Sequence, residues 1–238
     1  MSGAWVKRRF WAEATVAPGE DGFGVHLDGR PLRTPARAAL CVPTRALAEL
    51  IAAEWRAQAE VIDPEAMPAT RAANSAIDKL QGQMPHVVAM LADYGDSDLV
   101  CYRAEAPEGL VAAEAAAWDP LVDWVATRYG AWLAVHTGVM HQPQRPEALA
   151  ALRVPVAAMS AFELAGFHDL VTLTGSLVIG LATAMDQAAP LHLWDAAQVD
   201  TNWQIAQWGT DEEAQHMTEA RRRAFLDAKR FFDACQRT

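Results

Sequence analysis

Apolar and polar positions alternate over short runs in the first forty residues, a pattern typical of strands joined by turns. The cluster of Pro, Gly and acidic residues at 18–22 predicts one turn. Asp28-Gly29 predicts a tight hairpin, because both residue types tolerate positive φ. The predicted extended segments are 10–16, 24–27, 31–34 and 39–42. Together they predict a small antiparallel sheet.

The period changes to that of a helix after Pro43-Thr44. The positions that share one side of this helix are Leu47, Leu50, Ile51, Trp55, Gln58 and Ile62. One amphipathic helix can cover one face of a small sheet, which gives a compact α+β unit. Asp63-Pro64 and Met67-Pro68 then interrupt the chain. We therefore predict two domains, an α+β domain at 1–66 and a helical domain at 67–238.

The pattern after Thr70 is helical throughout. The predicted helices are 71–81, 85–94, 109–118, 120–129, 146–165, 167–186, 191–207 and 211–235. Glycines at 95, 130 and 166 mark expected helix ends, Pro120 an expected break and Pro155 an expected kink. The small residues within Thr172–Ala184 predict a central helix packed on all sides. The predicted fold class is α+β: the small sheet with its covering helix, followed by a larger all-α orthogonal helical bundle.

Composition adds that the chain is acidic. Its 238 residues include 30 acidic and 20 basic side chains, for a formal net charge of -10. This balance is unfavourable for gripping nucleic acid or an anionic membrane surface. The longest apolar stretch, 170–185, is short for a bilayer span and predicts no membrane insertion. The three cysteines are widely spaced, which predicts free thiols in a reducing compartment.

The known catalytic and ligand-binding motifs find no match in the chain. There is no GxxxxGK[ST] loop for phosphates and no GxSxG nucleophile elbow. His136 and His141 are five residues apart with no carboxylate between them, which does not fit a helical zinc motif. We therefore predict no catalytic residue, no cofactor and no metal. Nine tryptophans are present, mostly at helical spacing in expected core, although some could line a groove for a protein partner.

Eight strings, in order along the chain, resemble one family. They are FW at 10–11, VHLDGRPLRTPA at 25–36, VPTRALAELIAAEWRAQ at 42–58, MPATRAANSAID at 67–78, YGDSDLVCYRAEAPEGL at 94–110, WDPLVDW at 118–124, TGSLVIGLA at 174–182 and WGTDEEA at 208–214. The chain resembles the "Atp-twelve" assembly chaperones, which handle the alpha subunit of the catalytic head of ATP synthase. Eight strings in the right order make the resemblance specific, and it extends from about residue 8 to the end.

The resemblance implies a chaperone that is not an enzyme. Such a protein holds the unassembled alpha subunit through the surface later taken by the beta subunit, prevents its aggregation and is displaced by the beta subunit. The resemblance implies a monomeric bacterial member in the cytoplasm, or a protein of the mitochondrial matrix if the chain is a processed eukaryotic member. Two alternatives remain open: an enzyme with a dispersed active site, and a stable structural subunit of a larger complex.

The candidate partner-binding residues are Glu212, Asp211, Trp208 and Trp55. Trp208-Gly209 is expected to end one helix and Thr210 to cap the next, with Glu213 completing a capping box. Glu212 then has no structural task, and the resemblance matches it to the acidic position of a WGxxE pattern that looks functional in the family. A carboxylate at an exposed helix start can accept hydrogen bonds from a basic residue of a partner.

Overall fold

A computed structural model describes residues 8–236. Contacts between residues divide the chain into two units. The first comprises residues up to 83 together with 161–166 and 230 onwards, and the second comprises 84–160 and 167–229. The predicted boundary between residues 66 and 67, which concerns separate domains, stays a prediction.

The first unit contains the predicted antiparallel sheet. Its strands are β1 (Ala14–Gly19), β2 (Gly22–Leu27), β3 (Arg30–Pro31) and β4 (Cys41–Val42). β2 is central: β1 pairs along its length, while β3 and β4 pair with different parts of it. The hairpin between β2 and β3 has positive φ at Asp28 and Gly29, as predicted from the sequence.

Helices α1 (Arg45–Ala57) and α2 (Pro68–Asp78) complete the sequence-local part of this unit. Thr44 caps α1 through a hydrogen bond from the Leu47 N–H, as the pattern predicts. The Glu54 carboxylate on α1 accepts hydrogen bonds from the N–H groups of Ala69 and Thr70 at 2.6 and 2.8 Å. These N–H groups lie in the first turn of α2 and have no partner within that helix. The core includes residues of α1 and the sheet, together with Ala165 and Phe231 from later helices.

The second unit is helical except for one short strand pair. Its helices are α3 (Met84–Asp93), α4 (Glu108–Tyr129), α5 (Pro146–Ala157), most of α6 (Ala161–Thr174), α7 (Leu177–Ala184), α8 (Pro190–Ala196), α9 (Val199–Trp208) and most of α10 (Glu212–Gln236). Two-residue strands β5 (Tyr102–Arg103) and β6 (His136–Thr137) pair in parallel, which the sequence pattern did not predict. The α+β class is confirmed.

The central position predicted for the segment around Gly180 is confirmed, since all eight residues of α7 are buried. A Cβ at Gly180 would lie 2.6 Å from Cγ2 of Val171 on α6, so glycine permits the close approach of the two helices.

Two predicted helix breaks are wrong. α4 continues through Pro120, because the flanking Trp118 and Leu121 are buried and their packing outweighs the hydrogen bond that proline removes. Gly166 lies inside α6, and the actual breaks fall at 158–160 and at Gly175. Gly130, by contrast, ends α4 as predicted, with a left-handed φ of 69°.

Candidate partner-binding surface

Helix α9 and the first half of α10 are two exposed helical segments joined by a short turn, and we call them the arm (residues 199–224). α9 has no buried residue, and the first buried residue of α10 is Phe225. A polar helical segment that buries so little apolar surface gains little stability from packing. Its place in the fold therefore depends on contacts at its two ends.

The arm is anchored at both ends within the second unit. Trp203 of α9 packs on α4 at Gly109, where a Cβ would lie 2.5 Å from its ring atom Cη2. On α10, the Phe225 ring contacts the Trp194 ring at a centroid distance of 5.5 Å. The buried Lys229 pairs with Asp186 at 2.7 Å. These contacts fix the base of the arm and leave its tip in solvent.

The turn at the tip differs from the predicted capping box. α9 ends where the Gly209 N–H donates to the Ile205 carbonyl at 2.8 Å, with a φ of 85° at Gly209 that favours glycine. Asp211, and not Thr210, caps α10: its Oδ2 accepts the Ala214 N–H at 3.2 Å. Glu213 is therefore at the second helical position, where its side chain cannot complete the box. The cap of α10 is thus Asp211, one residue later than the Thr210 predicted from the sequence.

The arm tip combines acidic and apolar side chains. Glu212 and Glu213 occupy the first turn of α10, where the helix dipole favours negative charge. Trp208 is 80% exposed and Met217 is 62% exposed. Further along α10, Ala214 and Met217 are exposed, and the first buried apolar side chains are Phe225 and Ala228.

Three of the four predicted site residues lie together at this tip: Trp208, Asp211 and Glu212. Among the described residues, the carboxylate of Glu212 has no hydrogen-bond or ion-pair partner. Trp55 belongs to the other unit, where its ring meets Trp11 edge-on at 4.9 Å and packs against the core of the sheet. That packing gives Trp55 a structural role, and its part in partner binding stays a prediction.

A buried charged cluster beneath the arm was not found from the sequence. Glu114 on α4 is 2% exposed and accepts the Ala104 N–H at 2.8 Å. Burial raises the pKa of Glu114, and the neighbouring carboxylate of Asp200 on α9 raises it further. Within the described residues, Asp200 Oδ1 and Arg103 Nη2 are buried without a hydrogen-bond partner. The sequence signal that could have indicated burial of Glu114 is its position one helical turn before the buried Trp118, on the same face of α4.

Arg103 connects this cluster to the surface of α4. Its Nη1 pairs with Asp119 at 2.8 Å, and its guanidinium lies 5.2 Å from the Trp118 ring centroid. Its charge also opposes the rise in the pKa of Glu114. Arg103 therefore links strand β5 to α4 through its pair with Asp119 and its interaction with Glu114. α4 is also the helix on which α9 packs.

Ligand-binding chemistry is sparse in the described part of the chain. Within residues 8–236, no group of three or more His, Cys, Asp or Glu side chains could hold a metal ion. The three cysteines are free, as predicted, and burial raises the pKa of both Cys101 and Cys235 to about 12. No helix in the same range is long and apolar enough to cross a membrane.

Comparison with known proteins identifies the family. Residues 8–126 match the model described as ATP12 chaperone protein. The chain belongs to the ATP12 chaperone family. The crystal structure of Atp12 from Paracoccus denitrificans is 48% identical, with a TM-score of 0.92 over 96% of this chain and 98% of that one. The structure of a mutant of P. denitrificans Atp12p gives the same identity and score over 96% of this chain and 97% of that one.

A curated relative extends the ATP12 family to a eukaryote. The mitochondrial protein atp12 of Schizosaccharomyces pombe is 24% identical over 222 residues, which cover 88% of this chain and 76% of that protein. The match to the family model ends at residue 126, before the arm begins. The likeness to the Paracoccus Atp12 structures covers nearly the whole chain. Family membership establishes the predicted chaperone class.

Proposed function

We propose that this chain is an assembly chaperone of ATP synthase that binds the unassembled alpha subunit of the catalytic head and passes it to the beta subunit. Its membership of the ATP12 family supports the chaperone role. We choose the arm tip as the binding site because the exposed Trp208 is followed closely in the chain by the carboxylates of Glu212 and Glu213.

The arm suits a client that must later be released. A subunit awaiting its neighbour exposes apolar surface that promotes aggregation. Trp208 and Met217 supply apolar contact area, and aromatic side chains dominate binding energy at interfaces. Carboxylates of the first helical turn supply charge-assisted hydrogen bonds to a basic group of the client. A small, mixed contact of this kind allows fast dissociation, so the beta subunit can displace the chaperone by competition.

The proposal includes the expectations that the protein is a monomer without enzymatic activity and that a bacterial member acts in the cytoplasm. The test is a pull-down with separately expressed alpha and beta subunits. We expect the isolated alpha subunit to bind and the isolated beta subunit not to bind. A chain that stays in the finished enzyme in fixed stoichiometry would instead be a structural subunit.

Glu212→Lys tests the site. We expect at least tenfold weaker binding to the alpha subunit, which corresponds to about 1.4 kcal/mol or more, because the exposed carboxylate becomes a like charge opposite the client's basic group. Melting temperature should fall by no more than a few degrees, since Glu212 has no side-chain partner within the described residues and only its favourable interaction with the helix dipole, about 0.3–1 kcal/mol, is lost or reversed. Binding is measured by calorimetry at low salt, where a charge contact is strongest.

Glu60→Lys is the matched control, because it makes the same change in net charge at an exposed position of the other unit. This variant should bind like the wild type. Equal binding by the Glu212→Lys variant and the wild type would contradict the assignment of the arm tip.

A further inference from the structure

A second exposed apolar feature of the helical unit is the segment between α4 and α5, which we call the 131–141 loop. From residue 130 to 144 the chain has no Asp, Glu, Lys or Arg, although a fifth of the whole protein is charged. Its large apolar side chains face solvent: Val139 is 93% exposed, Met140 78% and Trp132 68%. These three residues belong neither to the core nor to the arm, so neither explains why they are apolar and exposed.

The backbone of this loop is held firmly from beneath. The side chain of Gln144, which is 4% exposed, accepts the Ala134 N–H and donates to the Ala134 carbonyl, both at 2.8 Å. The Gln144 N–H in turn donates to Asp96 at 2.7 Å. A buried side chain that bonds both backbone groups of one residue fixes the path of the loop around Ala134.

The middle of the loop is fixed by the strand pair β5–β6. β6 lies beside β5, and the Gly138 N–H donates to the Arg103 carbonyl at 2.8 Å. His141 lies between the Tyr102 hydroxyl, 3.1 Å from Nδ1, and the Asp96 carboxylate, 3.4 Å from Nε2. Several backbone and side-chain polar groups of the loop are thus bonded to the rest of the unit, while Trp132, Val139 and Met140 are exposed.

A fixed loop of this kind loses little conformational entropy when a partner covers it. Its exposed side chains offer on the order of 500 Å² of apolar surface, the size of the functional patches found on soluble proteins. A stable interface needs about 800 Å² from each partner. The loop alone is therefore too small for a stable dimer of this chain, and it suits one part of a larger contact.

The loop and the arm both border the first half of α4. The loop reaches this region through Arg103, whose neighbour Ala104 is bonded to Glu114. The arm reaches it through Trp203, which packs on Gly109. The loop and the arm are therefore both connected to the same part of α4.

We propose that the 131–141 loop is a second binding surface for the client of the arm, and that it takes an uncharged apolar patch of the unassembled alpha subunit. The inference rests on the proposed function. The exposed side chains of the loop favour an apolar partner surface, because a charge placed against Trp132, Val139 or Met140 would lose its hydration without compensation. The two surfaces then divide recognition, the acidic arm tip binding a basic group and the loop binding apolar side chains.

The test compares binding of the separately expressed alpha subunit at 50 mM and 500 mM salt. We expect the double variant Trp132→Ser/Met140→Ser to bind at least tenfold more weakly than the wild type at both salt concentrations. The effect of Glu212→Lys should shrink at the higher concentration, since salt screens an exposed charge contact. Val154→Ser, a change of the same kind at an exposed position of α5, should bind like the wild type.

The loop variant replaces exposed side chains, so its melting temperature should match that of the wild type. Should Trp132→Ser lower it, Val139→Ser/Met140→Ser repeats the test without touching the tryptophan. Wild-type binding that persists unchanged in the loop variants overturns the loop's role and leaves the proposed function standing. Failure of the wild type itself to bind the alpha subunit overturns both. A wild-type dimer in sedimentation that the loop variants dissociate would overturn the proposal by assigning the loop to a second copy of this chain.

Discussion

At the scale of single residues, Asp98 shows how one buried carboxylate can join distant parts of the chain. It caps the short turn that follows it by accepting the Val100 N–H at 3.2 Å. It also accepts the Ser176 hydroxyl at 2.5 Å and the Val178 N–H at 2.9 Å, at the start of α7. Desolvation of the fully buried side chain raises its pKa to about 6, against the opposing effect of these hydrogen bonds.

The raised pKa makes the contribution of Asp98 to stability dependent on pH. The folded state binds the proton more tightly than the unfolded state, whose pKa is near 3.8. Stability from this group is therefore fully present below about pH 4 and is lost as the pH rises through about 6. We expect the free energy of unfolding of the wild type, relative to Asp98→Asn, to fall by roughly 3 kcal/mol between pH 4 and pH 7.

Urea unfolding of both proteins across this pH range measures the difference. Asp93→Asn, at an exposed position five residues earlier, controls for the loss of a carboxylate. A difference between wild type and Asp98→Asn that is constant with pH, or that grows as the pH rises, would contradict the assignment.

Residue-level predictions from the sequence succeeded where the cause was local. The caps at Thr44 and Asp98 follow from side chains that bond the backbone two or three residues later. Partners far away in sequence could not be predicted in this way. Arg103 pairs with Asp119 and not with Asp98, and the half-buried Tyr102 bonds His141.

At the scale of elements, the position of the arm depends on one close contact between α9 and α4. We expect Gly109→Ala to displace Trp203, since the new Cβ would lie 2.5 Å from its ring. Overpacking of this kind costs about 1–3 kcal/mol, which lowers the melting temperature by several degrees in a protein of this size. The amide hydrogens of α9 should exchange faster than in the wild type.

Gly82→Ala provides the control for the glycine substitution, because nothing lies within 4 Å of a Cβ at that position. It should leave both the melting temperature and the exchange of α9 unchanged. Unaltered protection of α9 in Gly109→Ala would show that other contacts hold the arm in place.

Helix type was easier to predict than helix number or helix ends. The 3.6-residue period identifies α3 and α10, whose boundaries lie within one residue of those predicted. α1 ends at Ala57, so the prediction that Gln58 and Ile62 lie on its face is wrong, and the single helix predicted at 191–207 is two helices, α8 and α9. Local rules for proline and glycine wrongly predicted a break at Pro120 inside α4 and a helix end at Gly166 inside α6, because packing of buried neighbours overrides the propensity of one residue. The strand pair β5–β6 has two residues on each side and leaves no periodic pattern to detect.

At the scale of the whole molecule, the sequence has no GxxxxGK[ST] motif, and the proposed function relies on competition by the beta subunit to release the client. We expect no saturable binding of ATP in the micromolar range when the isolated chain is titrated in a calorimeter. We also expect the beta subunit to dissociate the complex of this chain with the alpha subunit in a concentration-dependent way. Saturable heat from ATP alone would contradict the mass-action account.

The sequence also set limits on what could be known of the surface. The hydropathy pattern predicted the α+β class and the ordered motifs predicted the chaperone family, but exposure depends on which faces the fold covers. The acidic tip at Glu212 could be chosen because the helix start was recognisable. The 131–141 loop could not, since exposed and buried apolar residues look alike in a sequence and the contacts that fix this loop, from Gln144 and from the β5–β6 pair, involve residues far away in the chain or appear only in the structure.

The core of the sheet-containing unit has a consequence for biosynthesis. That core includes Phe231 and Ala234 near the end of α10, and the Thr44 hydroxyl donates to the Ala234 carbonyl. A ribosome therefore delivers the first strands long before it delivers the side chains that cover them. The N-terminal sheet must wait, partly uncovered, through the translation of about 190 further residues. A member of a chaperone family thus passes through a period in which its own apolar core is exposed.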